Sequence, residues 1–197
     1  MSTRLRFNTA KQVFDAFPKV TAEIDLRPSE EPPVDFARKL LARAHRFDAI
    51  IYTACLLPRR EAVWWGCQCV RALHGNKADE ALLAVEAWVR APEEQQRRAV
   101  LQIAASGDTS VATTWLAWAA GHSGGSVAPE DVAPAPASPD ATAINLKAAV
   151  ILAIVQHPMT EALAWITACV EAGLRFAEGG DAKVLPPTAI PAKPGAI

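Results

Sequence analysis

The sequence predicts an all-α fold, on three observations. Residues 57–71, LPRREAVWWGCQCVR, place apolar side chains around most of a helical circumference, as a helix with neighbours on several sides does. From residue 35 to 178 the apolar residues recur at helical spacing, segment after segment. The breaks between segments carry Asp, Thr, Pro and Gly, the residues that start and stop helices. An irregular multi-helix bundle or a short solenoid-like stack of helical hairpins both satisfy this pattern. No repeat of constant period is found, which favours the bundle.

Thr9 with Gln12 forms a capping-box pattern, and Val13, Phe14 and Phe17 give a short apolar face that Pro18 ends. Residues 18–34 hold four prolines and alternate Val20, Ala22, Ile24 and Leu26, which predicts an extended arm on the body, or at most one edge strand. Asp35 can cap a helix with Phe36, Leu40 and Leu41 inward and Arg38, Lys39 and Arg43 outward. The pattern continues through Phe47, Ile50, Ile51, Ala54 and Cys55, as two segments or one helix bent near residues 45–48.

Pro58 at the first helical position and Glu61 in the opening turn mark the start of the central helix, which His74, Gly75 and Asn76 close. Asn76 and Asp79 open the next, with Leu82, Val85, Trp88 and Val89 on one side. Pro92, Glu93 and Glu94 open another, with Val100, Leu101 and Ile103 inward and Arg97 and Arg98 outward. The turn Gly107-Asp108-Thr109 leads to a helix carrying Val111, Trp115 and Trp118. Residues 121–139, GHSGGS and then an Ala/Pro run, read as a flexible surface loop, because they offer little apolar area to bury. Asp140 caps an apolar helix with Ile144, Ala148, Ile151, Leu152 and Val155, and Thr160 starts the last, with Leu163, Ile166, Val170, Leu174 and Phe176. Residues 1–178 thus form one helical domain, and 179–197, rich in proline and without periodicity, a disordered tail.

Composition excludes more than it assigns. A net charge of -1 over 197 residues, with no dense Lys/Arg tract, gives no footprint for nucleic acid. The N-terminus lacks an apolar signal region, and the longest apolar run, residues 148–155, is too short to span a bilayer, so a cytoplasmic protein without membrane contact is expected. Four cysteines in such a chain read as buried thiols. Cys67 and Cys69 point about 200° apart on one helix, and no CxxC or HxxxH spacing occurs, so no metal or cofactor is expected.

Three motifs could carry function. Gly121-His122-Ser123-Gly124-Gly125 satisfies the G-x-S-x-G nucleophile pattern, but that chemistry needs a strand before the serine, and here a helix precedes it. His45, His74, His122 and His157 are dispersed, and their places near helix ends suit the dipole without proton chemistry. The most informative feature is the run Arg59, Arg60, Trp64, Trp65 and Arg71, since tryptophan with arginine is the usual makeup of an interface hot spot. Its rival reading is structural: the tryptophans pack the core, and Arg71 neutralises a buried carboxylate such as Glu86.

LPRREAVWWGCQCVRA, then AVEAWVRAPEEQQRRAV, then HSGGSVAP with its Ala/Pro loop resemble a bacterial all-helical family with no assigned function, over residues 35–178. Members of that family often stand beside type VI secretion genes, which implies an accessory, adaptor or immunity-like protein. The family supplies no catalytic residues. Its matching positions are Pro58, Arg59, Arg60, Glu61, Trp64 and Trp65 in the helix and Ser123, Gly124, Gly125 and Ser126 in the loop. The expectation is therefore a non-enzymatic protein that binds another protein, a secretion component or effector, through Arg59, Arg60, Trp64, Trp65, Arg71 and the loop residues 123–126. A toxin-neutralising protein, or a serine hydrolase using Ser123, stays open as the alternative.

Overall fold

The computed structural model describes residues 2–22, 24–43, 46–75, 77, 79–129 and 131–187. Among them lie ten helices and no strand: α1 (Ala10–Ala16), α2 (Pro18–Thr21), α3 (Pro33–Leu41), α4 (Phe47–Leu56), α5 (Arg59–Leu73), α6 (Glu80–Arg90), α7 (Glu94–Ser106), α8 (Ala112–Gly121), α9 (Ala141–Ile154) and α10 (Met159–Ala177). The one sheet-like pairing described is a single antiparallel bridge between Ser126 and Pro136.

Local signals set most of the helix starts. The Thr9 hydroxyl accepts from the Gln12 N–H at 3.3 Å while the Gln12 side chain accepts from the Asn8 N–H at 2.8 Å, a capping box displaced by one residue. Asp79 caps α6 through the Leu82 N–H at 2.9 Å. Asp108 accepts from the Ser110 N–H at 2.8 Å, an Asx turn that aims the chain into α8. Three expected starts move. Pro32, Pro58 and Pro158 stand just before α3, α5 and α10, so Asp35 lies in the first turn and caps nothing, and Pro58 precedes the helix it was expected to begin. Asp140 precedes α9 without capping it by its side chain. His45 and Asn76 lie outside the described residues.

The helix from the central stretch packs against α4, α6, α8, α9 and α10. Trp65, at 0% exposure, donates its indole N–H to the Cys169 carbonyl of α10 at 2.8 Å. Gly66 lets α5 come close to α8 and α9: a Cβ there would lie 2.5 Å from Leu146 Cδ2 and 3.0 Å from Leu116 Cδ1. Helices α8 and α9 form the other half of the core, α8 also touching α6 and α7, and α9 touching α4. A solenoid repeat contacts only its sequence neighbours, so pairs such as α4 with α9 and α5 with α10 make this an irregular bundle.

The arm over 18–34 departs from expectation in part. Residues 18–21 wind into one helical turn, with no strand among the described residues, while Val20 and Ile24 are buried against the body. At the other end, where a disordered tail was expected, residues 181–187 form neither helix nor strand but lie on the body with Ala182 and Val184 buried; residues 188–197 lie outside the described residues. The N-terminal segment ties both ends down. Arg4 donates its backbone N–H to the Ala177 carbonyl at 2.8 Å, and Arg6 donates its own to the Leu56 carbonyl at 3.1 Å.

Candidate functional site

The residues singled out in the sequence separate into two groups. Trp65 is core, not surface, because α5 rotates it under α10; as a partner contact it is withdrawn. Arg71 takes the structural role. It grips Glu86 of α6 with Nε at 2.5 Å and Nη2 at 2.8 Å, two parallel bonds to a carboxylate that is only 3% exposed. That hydrogen bond holds the Arg71 guanidinium further above its ordinary range. Arg59 is turned to the 121–139 loop, donating to the Ser123 carbonyl at 3.2 Å and the Pro139 carbonyl at 3.5 Å.

The loop is fastened rather than loose. Arg97, expected to face outward, is buried, and donates to the carbonyls of Gly121 and, at 2.7 Å, Ser126, while Glu94 accepts from it at 2.6 and 2.7 Å. Gly125 sits on this pair at φ 58°, and a Cβ there would lie 2.7 Å from Arg97 Nη2. The Ser126 hydroxyl accepts from the Ala128 and Ala135 N–H groups at 3.1 and 3.0 Å, closing the loop on itself. Ser123 completes the end of α8: its hydroxyl donates to the Ala120 carbonyl at 2.6 Å. His122 lies with Nδ1 3.0 Å from the Asn145 amide, and burial, then Arg97, lowers its pKa. A helix leads into Ser123, so the strand-to-helix elbow of that motif is not formed. Gly121 does not stop α8 by a left-handed turn. It is the last helical residue, and a Cβ there would lie 2.7 Å from Leu101 Cδ1 on α7.

The second group is open to solvent. Arg60 and Trp64, on one face of α5, join Arg4, Glu61, Val89, Arg90 and Phe176 around a cleft of about 300 Å³. The cleft forms where the start of α5 meets the C-terminal ends of α6 and α10. Arg60 Nε donates to the Val89 carbonyl at 2.7 Å, and Arg4 Nη1 to the carbonyls of Phe176 at 2.8 Å and Gly180 at 3.1 Å. The Val89 and Phe176 carbonyls lie in the last turns of α6 and α10, where cations are favoured, and the Phe176 carbonyl also accepts from the Gly179 N–H at 3.1 Å. The Arg4 guanidinium also stacks on the Phe176 ring, 4.2 Å from its centroid. The sequence reading missed Arg4 and Phe176 as members of this site, since only the fold brings residues 4, 60 and 176 together.

Elsewhere the chemistry is inert or structural. Burial pushes the Cys55 and Cys67 thiols well above the range in which thiolates form, and Cys69, beside Cys169, likewise. His157 donates from Nε2 to the Leu73 carbonyl at 2.8 Å and packs at a tilt against the Trp165 ring, while burial lowers the pKa of His74. No group of three or more His, Cys, Asp or Glu among the described residues is placed to hold a metal ion. No described helix is long and apolar enough to cross a membrane.

A family model described as a family of unknown function (DUF6931) matches residues 36–177. Neither the curated proteins nor the solved structures include a match to this chain.

Proposed function

The chain belongs to this family of unknown function, and on that premise we propose that it acts by protein–protein contact, with no chemistry of its own, through the cleft lined by Arg60 and Trp64. One observation carries the reading. Of the arginines and tryptophans of the central stretch, Arg59, Trp65 and Arg71 are turned into the fold, whereas Arg60, held at Nε by the Val89 carbonyl, and Trp64 border an open concavity that two further arginines and a phenylalanine complete. Aromatic and arginine side chains in a partly desolvated depression are what interface hot spots are made of. The loop residues 123–126 support the fold around α7 and α8, so the partner surface narrows to the cleft.

The finer proposal follows from the resemblance: an accessory or adaptor of a bacterial type VI secretion apparatus in the cytoplasm, with a secretion component or effector as partner. A toxin-neutralising role is the alternative, and a toxin gene adjoining this one, with growth rescue by the chain, decides for it. The test of the contact itself is co-purification from the source cell with Arg60→Glu and Trp64→Ala variants, both shown to keep the wild-type urea midpoint. Loss of one defined protein supports the reading; retention of every bound protein by both variants refutes it. Labelling of the chain by a fluorophosphonate that disappears in Ser123→Ala would establish the hydrolase instead.

A further inference from the structure

We infer that the partner enters the cleft as an acidic peptide segment, its carboxylates on Arg60 and Arg90 and an apolar side chain on Trp64 and Phe176. This rests on the interaction reading above and adds the chemistry of what is bound. Three guanidiniums, of Arg4, Arg60 and Arg90, border the cleft against one carboxylate, Glu61. Neither Arg4 nor Arg60 has a carboxylate partner among the described residues; their hydrogen bonds run to carbonyls. Arg90 reaches a carboxylate only at 3.5 Å, and that one, Glu86, is already held by both nitrogens of Arg71.

An arginine has five N–H donors. Arg60 uses Nε on Val89, and among the described residues its terminal nitrogens make no hydrogen bond. The carbonyl bond and the ring under Arg4 fix where these guanidiniums sit, so little side-chain freedom remains to be lost when a carboxylate arrives. Like charges that outnumber the nearby counter-charge repel one another, and a bound anion relieves that repulsion. The aromatic rings argue for a peptide over a free inorganic ion, because Trp64 and Phe176 offer apolar surface that an inorganic anion cannot cover. A volume of about 300 Å³ accommodates a few side chains and no folded domain. The chain as a whole carries -1, so the cleft is a local cationic spot rather than part of a basic track for nucleic acid.

The test uses the full chain and fluorescence anisotropy of a short labelled peptide alternating glutamate and leucine, its glutamine counterpart, and vesicles containing phosphatidylglycerol. The glutamate peptide is expected to bind with an affinity that falls as salt rises. The glutamine peptide, and the Arg60→Gln and Arg90→Gln variants with the glutamate peptide, are each expected to bind about tenfold more weakly. Lys19→Gln, on exposed α2, should change nothing. Arg90 is 66% exposed, so Arg90→Gln stays informative should Arg60→Gln impair folding. Equal binding of both peptides, or binding of neither, overturns the acidic segment. So does tighter, Arg60-dependent binding of the vesicles. The co-purification result stands apart: a partner lost in Arg60→Glu together with any of these outcomes leaves the contact intact and removes only its acidic chemistry.

Discussion

Gly173→Ala probes the contact between the central helix and α10. A Cβ on Gly173 would lie 2.5 Å from Thr53 Cγ2, 2.8 Å from Trp65 Nε1 and 3.0 Å from Trp65 Cε2. Neither neighbour yields easily. Thr53 is held by its hydroxyl bond to the Ala49 carbonyl at 2.7 Å, and the Trp65 indole by its bond to Cys169 at 2.8 Å. Overpacking a core of this kind costs about 1–3 kcal/mol, and two rigid neighbours place the cost at the upper end. Alanine is favoured over glycine inside a helix by about 1 kcal/mol, which opposes it. The net expectation is a loss of about 2 kcal/mol, or a melting point lower by about 4–8 °C for a chain of this length. Urea unfolding followed by far-UV circular dichroism measures it. In Thr53→Ser and Trp65→Phe backgrounds, where one of the colliding groups is gone, the same substitution should cost about 1 kcal/mol less. Wild-type stability in Gly173→Ala, or a cost unchanged in both backgrounds, would refute the packing described for α5.

Four further expectations follow. Arg71→Met leaves the Glu86 carboxylate, 3% exposed, with only Arg90 at 3.5 Å, and should cost about 2–3 kcal/mol by urea unfolding; adding Glu86→Gln should restore much of it, since no buried charge is then left unpaired. Arg97→Ala should release the 121–139 loop, seen as faster subtilisin cleavage between residues 127 and 137. The hydrogen bond from Arg97, set against some burial, holds the Glu94 carboxyl below its ordinary 4.5. A depressed folded pKa means that the stabilisation is complete above 4.5 and is lost as pH falls through the folded value. The Gly125 amide resonance should therefore be flat at neutral pH and move below 4.5, and Glu94→Gln should abolish that movement. All four thiols are buried, so Ellman's reagent should find none in the native chain and four in guanidinium chloride; a fast native reaction would show a core less closed than described.

Helices were legible because their signals are local. The box at Thr9, the cap at Asp79 and the turn at Asp108 act within four residues, and all three form. What sequence spacing could not assign is the outside of a helix that is apolar all round. Ile144 of α9, Val155 just after it and Leu163 of α10 are about half exposed, and nothing in the periodicity of the sequence separates them from buried Leu146 and Val150. Arg97 shows the converse. A charged residue at an outward position reads as solvated, yet here the chain returns from α8 and brings two carbonyls onto its guanidinium. The loop read as flexible for the same reason: its anchors are arginines at 59, 97 and 98, distant in sequence. The Trp/Arg run gave a candidate surface, but which members face outward depends on where α10 lies, and that is a tertiary fact. Trp64 and Trp65 differ by one position and have opposite fates.

Partners are expected to meet this chain at the cleft. Photo-crosslinking amino acids placed singly at Glu61 in the cleft, at Met159 on the exposed start of α10 and at Val132 in the loop test this in the source cell. One discrete protein adduct is expected from the Glu61 position, abolished by Trp64→Ala, and none from the other two. Adducts from Met159 or Val132 alone would contradict it.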